Sequence, residues 1–187
     1  MKVVDTQIPE VKIVTPAKFG DRRGFFSETY SRKAFAASGI DLDFVQDNHA
    51  SSAEPGTVRG LHFQIAPMAQ AKLVRVTRGA IFDVAVDIRR GSRSFGKWVG
   101  ARISAEAWNQ ILVPAGFAHG YCTLEPDTEV VYKVTDYYAP EHERGFLWND
   151  PAVGIDWPVV PDKAILSDKD RKLPGLADLP AHFTWSP

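Results

Sequence analysis

The chain has 187 residues, 44% of them apolar and 24% charged, with a net charge of −1. That length and composition fit a single globular domain able to bury its core without metal or disulfide staples. The near-neutral charge lacks the basic footprint that nucleic-acid binding requires, and the lone Cys122 excludes an internal disulfide framework and fits a reducing compartment.

The first ten residues, Met1 to Glu10, lack the apolar core of a signal peptide. No uncharged apolar run approaches the ~18 residues that a membrane-spanning helix needs, so no membrane partner is expected and a cytoplasmic location is. Strand patterns follow at 11–15, 24–30, 44–50 and 57–64. A helix is predicted over Arg32–Ser38, capped by Ser31 and closed by Gly39. Further strand patterns occupy 72–77, 81–88, 97–103, 109–113, 117–124 and 129–135. In the 81–88 run, Phe82, Val84, Val86 and Ile88 share one face and Asp83 and Asp87 the other. Ser104 opens at most one turn before Trp108, and a short helix is expected around Ser167–Lys172 in a Pro-rich C-terminal region. Roughly ten strands broken by Gly and Pro turns predict an all-β sandwich or barrel. No repeat, low-complexity block or linker divides the chain, so residues 1–187 are read as one domain.

Several polar groups stand in these strand patterns. Arg59 and His62 lie in Thr-Val-Arg-Gly-Leu-His-Phe-Gln, whose apolar and β-branched members suit a strand. Lys72 shares a face with Val74 and Val76, and Tyr132 shares one with Val130 and Val134, which points both inward. A lone strand histidine is commonly a hydrogen-bonded structural residue, and an inward tyrosine commonly a core residue with a satisfied hydroxyl. A base, a cation, a second imidazole and a phenol on successive strands favour an active site instead. His49, His142 and His182 are read as structural or surface residues.

His119 ends a Pro-x-Gly-x-x-His segment, Pro114 to His119, the second motif of the cupin barrels. The first motif of metal-binding cupins has two histidines at i and i+2; the corresponding pair here is His62 and Gln64. Gln is a poor divalent ligand, and a mononuclear site wants three His or carboxylate donors. No metal is expected. No P-loop or dinucleotide fingerprint is present, and no cofactor is expected.

Together, Phe19 to Glu28, Phe44 to His49, Arg59 to Gln64, Gln70 to Val76, Pro114 to Gly120, Tyr137 to Glu143, Trp148 to Pro151 and Leu166 to Asp170 resemble one family over nearly the whole chain. It is the dTDP-4-dehydrorhamnose 3,5-epimerases, cupin-like enzymes of deoxysugar nucleotide synthesis. The resemblance implies a cupin-like antiparallel β-barrel, or jelly roll, with a few short helices. It also implies a homodimer exchanging N-terminal strands, and epimerisation of dTDP-4-dehydro-6-deoxy-glucose at C3 and C5. Such a reaction removes a carbon-bound proton beside a ketone. His62 fits the base, and the resemblance makes Asp170 its orienting partner, Lys72 the group facing the C4 oxygen and Tyr132 the acid returning a proton from the opposite face. Arg23, Arg59 and Lys169 are implied for the diphosphate, where Arg forks suit phosphate oxygens. Gln46, Asn48, Glu28 and Phe26 are implied as thymidine and sugar contacts, and Tyr138 as the ring stacking on thymine. Gln64, His119 and Glu143 complete the expected substrate contacts. The alternatives are a single-centre epimerase or a 3,4-ketoisomerase on the same dTDP-sugar, then a metal-dependent cupin oxygenase, which Gln64 disfavours, or a non-catalytic sugar-nucleotide binder.

Overall fold

A computed structural model describes residues 1–186. In chain order its strands are β1 (Lys2–Asp5), β2 (Lys12–Thr15), β3 (Phe19–Asp21), β4 (Gly24–Phe26), β5 (Gln46–Ser52), β6 (Val58–Gln64), β7 (Lys72–Arg78), β8 (Ala80–Asp87), β9 (Arg89–Arg90), β10 (Trp98–Ser104), β11 (Gln110–Val113), β12 (Phe117–Thr123), β13 (Thr128–Val134), β14 (Glu143–Gly145) and β15 (Phe183–Thr184). A six-stranded sheet runs β1-β2-β11-β7-β13-β5 and a five-stranded sheet runs β10-β8-β12-β6-β14, antiparallel throughout. This is the expected cupin-like jelly roll, drawn out as a sandwich: the two sheets face each other and no ladder of hydrogen bonds closes them into one barrel.

The sandwich interior is apolar at one end. Val74, Val76, Ile111 and Val130 of the larger sheet pack on Ile81, Ala85, Ile103 and Phe117 of the smaller. Outside the larger sheet, the one α-helix among the described residues, α1 (Arg32–Ala36), docks Phe35 beside Val14, Leu73 and Leu112. Ser31 caps it by accepting from the Ala34 amide, and Gly39, at φ 82°, ends the turn as expected. The helix is shorter than the sequence pattern predicted, and the expected strand over 24–30 stops at Phe26 because β3 and β4 form a separate hairpin.

Outside the smaller sheet, residues beyond β14 form a second apolar layer, with Phe146, Val153 and Leu176 against Leu61, Val84, Val86 and Ile88. Strand β8 is thus buried on both faces. Its fully apolar face looks outward to this layer, and the face carrying Asp83 looks into the sandwich, where Ile81 and Ala85 meet the opposite sheet. The C-terminal helix expected around 167–172 is a 3₁₀ turn at Asp170–Lys172. Strands β3, β9, β14 and β15, of two or three residues each, are too short for a period to register.

Candidate active site

The other end of the sandwich interior is polar, and an irregularity between β6 and β12 shapes it. His62 pairs with His119 and Arg59 with Tyr121, so three steps on β6 match two on β12. Such a bulge re-aims side chains, and here Arg59 and His62, an odd number of residues apart, open to the same cavity. Two glycines permit it. Gly60 has a φ of 126°, and a Cβ there would sit 2.6 Å from Gly120 Cα; a Cβ on Gly120 would sit 2.8 Å from the Arg59 carbonyl. Only residues without side chains let the two strands meet this closely.

The cavity, about 440 Å³, is lined by Arg59, His62, Lys72, His119, Tyr121, Tyr132, Lys169 and Asp170 among others. A second hollow of about 290 Å³ shares His62, Lys72 and Tyr132 with it and adds Asn48, Gln64, Tyr138 and Glu143. The three shared side chains come from β6, β7 and β13, so both sheets contribute to one site. A larger hollow of about 710 Å³, walled by Phe95, Trp98 and Leu176, shares none of these residues.

His62 Nε2 lies 2.7 Å from Asp170 Oδ1. Asp170 is buried, and burial pushes its carboxyl upward. Hydrogen bonds from His62, Ser167 and the Gly60 amide, with the charge of His62, outweigh that and hold it below the usual carboxylate range. An ionised Asp170 accepting from Nε2 leaves Nδ1 with the lone pair, 3.8 Å from Glu143 Oε1. Glu143 is also held below its ordinary value: burial raises it, but Lys169 at 2.5 Å and the Tyr138 hydroxyl at 2.9 Å both donate to Oε2.

Lys72 lies on the inward face with Val74 and Val76. Burial lowers its pKa to about 8, against the opposing pull of Asp83 and Glu143. Deeper still, His119 Nε2 sits 3.0 and 2.9 Å from the two oxygens of Asp83. Burial raises the Asp83 carboxyl, with the charge of His119 acting against it. Burial also raises the Tyr132 phenol, so it is protonated at neutral pH and able to donate. The set comprises a carboxylate-backed imidazole, a cation of lowered pKa and a protonated phenol.

The remaining expected residues divide. Gln46 bonds Asn48 at 2.8 Å and accepts from the Tyr138 amide at 3.1 Å, which binds it to the second hollow. Gln64 lines that hollow, but its amide donates to the Met68 and Tyr137 carbonyls and accepts from the Ala139 amide. It holds the segment bearing Tyr138. Arg23, Phe26 and Glu28 are not brought in: Phe26 is 70% exposed on the β3–β4 hairpin, and Arg23 pairs there with exposed Asp21. Sequence reasoning missed Asp83 and Tyr121. An acid inside the apolar run Ala80 to Val86 signalled the first; the second shares His119's strand parity.

Among the described residues, no group of three or more His, Cys, Asp or Glu side chains is placed to hold a metal ion. No helix among them is long and apolar enough to cross a membrane.

A family model described as dTDP-4-dehydrorhamnose 3,5-epimerase matches residues 5–178. A dTDP-4-dehydrorhamnose 3,5-epimerase of Sinorhizobium fredii is 55% identical across 95% of this chain and 91% of its own. The crystal structure of the Bacillus anthracis enzyme of that name, with TDP and PPi bound, superposes with a TM-score of 0.90 at 52% identity, covering 93% of this chain and 98% of its own. A dTDP-6-deoxy-D-glucose-3,5-epimerase from Legionella pneumophila in complex with dTDP-4-keto-L-rhamnose gives a TM-score of 0.94 at 42% identity, covering 100% and 99%.

Proposed function

This chain belongs to the dTDP-4-dehydrorhamnose 3,5-epimerase family, and on that premise we propose how its residues perform the reaction. The protein is an isomerase that converts dTDP-4-dehydro-6-deoxy-glucose to dTDP-4-dehydro-L-rhamnose, inverting C3 and C5 in dTDP-rhamnose synthesis. The observation that carries the residue assignments is one cavity receiving both the His62–Asp170 pair and Lys72, with Tyr132 in its wall.

At each centre His62 Nδ1 takes the proton from the carbon beside the C4 ketone. The electron pair of the broken C–H bond moves into an enolate whose negative charge falls on the C4 oxygen. Lys72, charged at neutral pH, stabilises that oxygen. Tyr132 then delivers its proton to the opposite face of the carbon, and proton exchange with solvent restores both side chains. Asp170 keeps His62 in the tautomer whose lone pair is on Nδ1 and stabilises the imidazolium that forms.

The diphosphate is met by Arg59 and Lys169, and the thymine stacks on Tyr138 beside Asn48 and Gln46. His119 holds the sugar and Glu143 anchors Lys169 and Tyr138. Arg23, Phe26 and Glu28 reach a site only in a homodimer, in which the β3–β4 hairpin of one subunit lies over the cavity of its partner. The exposure of the cross-strand partners Phe19 and Phe26, at 64% and 70%, supports this, since an exposed apolar patch marks an interface. The enzyme acts as a single domain without metal or redox cofactor, in the cytoplasm. Incubation with dTDP-4-dehydro-6-deoxy-glucose in heavy water, with product read by NMR, tests the reaction: deuterium and inversion at both C3 and C5 are expected. Inversion at one centre alone would restrict it to monoepimerisation. A monomer by light scattering at micromolar concentration would refute the shared site.

A further inference from the structure

One group in the cavity wall has no role in the reaction as derived. Tyr121 lies on β12, two residues from His119 and across the strand pair from Arg59, and its side chain is only 4% exposed. Its hydroxyl is buried and finds no hydrogen-bond partner among the described residues. Buried tyrosine hydroxyls are almost always paired, because an unpaired one forfeits its hydration. Tyr121 nevertheless lines the same cavity as His62, Lys72 and Tyr132. Burial raises its phenol, so the group is a neutral donor at neutral pH.

Its cross-strand partner Arg59 borders the same cavity. Arg59 is exposed and held only by the Ser51 carbonyl at 3.0 Å and the Ser52 hydroxyl at 3.4 Å, contacts that a phosphate would replace. With Arg59 on the diphosphate, the part of the cavity lined by Tyr121, His62 and Lys72 is left to the sugar. Resting on the reaction assigned above, we propose that Tyr121 is a substrate-binding residue whose hydroxyl donates a hydrogen bond to an oxygen of the sugar ring, not to the nucleotide. It accounts for a fully buried donor left without a partner among the described residues: the partner arrives with the ligand.

Tyr121→Phe removes the hydroxyl and nothing else. Titration calorimetry with dTDP-glucose, which lacks the ketone and is not turned over, should show roughly 3- to 10-fold weaker binding, the value of one neutral hydrogen bond. Binding of dTDP alone should stay within 2-fold of wild type. The melting temperature should hold or rise, because the variant no longer buries an unpaired hydroxyl. Unchanged dTDP-glucose affinity would overturn the proposal. So would an equal loss for dTDP and dTDP-glucose, which assigns Tyr121 to the nucleotide or to packing. Wild-type turnover of dTDP-4-dehydro-6-deoxy-glucose, measured alongside, separates failure of this inference from failure of the reaction assignment.

Discussion

The interior holds the same chemical unit twice, and the two copies do different work. His62 leans on Asp170 at 2.7 Å, and His119 leans on Asp83 at 2.9 Å, the two histidines being direct cross-strand partners. The His62 ring is 24% exposed, keeps one nitrogen open to the cavity, and its carboxylate is held below the usual range by several donors. The His119 ring is 7% exposed, and its carboxylate, with no exposed surface, is pushed up by burial. An imidazole–carboxylate pair becomes a proton-transfer device only where a nitrogen is free and the carboxylate is ionised at little cost. With its carboxylate wholly buried and its ring only just reaching the cavity, the same pair is a fixed dipole holding the floor of the site.

The sharpest way to break this contrast is to remove each imidazole in turn. His62→Asn should lower kcat by roughly 10²–10⁴-fold, the worth of a general base, and stop deuterium uptake at C3 and C5. His119→Asn should weaken substrate binding yet leave exchange measurable in every substrate molecule that binds. Equal loss of exchange in both variants, followed by NMR in heavy water, would erase the distinction.

Removing each carboxylate reads the contrast in stability. Asp83→Ala leaves a buried imidazole without its partner and should cost about 3–5 kcal/mol in chemical denaturation. Asp170→Ala sits at the cavity wall, where water replaces the lost partner; its stability loss should be about 1–2 kcal/mol, with kcat falling far more. A larger stability loss for Asp170→Ala would invert the assignment.

Lys72 stands between the two pairs, and its lowered pKa ties activity to stability with opposite signs. Lys72→Met should lower kcat by about 10²–10³-fold, the range for losing an enolate-stabilising donor. It should also stabilise the fold at pH 7 by up to ~3 kcal/mol, the cost of burying the ammonium net of its attraction to Asp83 and Glu143. The folded value is about 8 and the ordinary value 10.5. Between them the unfolded chain holds more protons, so wild-type stability gains on the variant as pH rises through this window. Below pH 8 the gap should be full; denaturation midpoints at pH 7 and pH 10 check it.

The smallest effect is on the pH profile. With Lys72 losing its charge near pH 8 in the free enzyme, kcat/KM should decline on the alkaline side, while binding of dTDP alone stays flat. An activity plateau reaching pH 10 would show that the ammonium is not needed in its charged form.

Much of this was legible beforehand because strands announce themselves by period. Lys72 and Tyr132 could be assigned to the interior from their valine neighbours, and both lie there. The helix at Arg32–Ala36 was legible from Ser31 and Gly39, since caps are local chemistry. Parity failed at two places. In β8 the apolar face suggested no site at all, because a C-terminal layer far away in sequence covers it and leaves the Asp83 face for the interior. In β6 strict alternation would put Arg59 and His62 on opposite faces.

What the sequence by itself determined, then, is the principal strands, the kinds of polar group on them and the family. These rest on local periodicity and on residue chemistry that does not depend on distant partners. Tertiary structure alone decided the rest. The extra residue in β6 against β12, allowed by the contact of Gly60 with Gly120, turns Arg59 and His62 onto one cavity. Asp170 reaches His62 across 108 residues of chain, and Asp83 reaches His119 across 36. Which imidazole keeps a free nitrogen depends on what surrounds each pair in space, and no spacing along the chain encodes that.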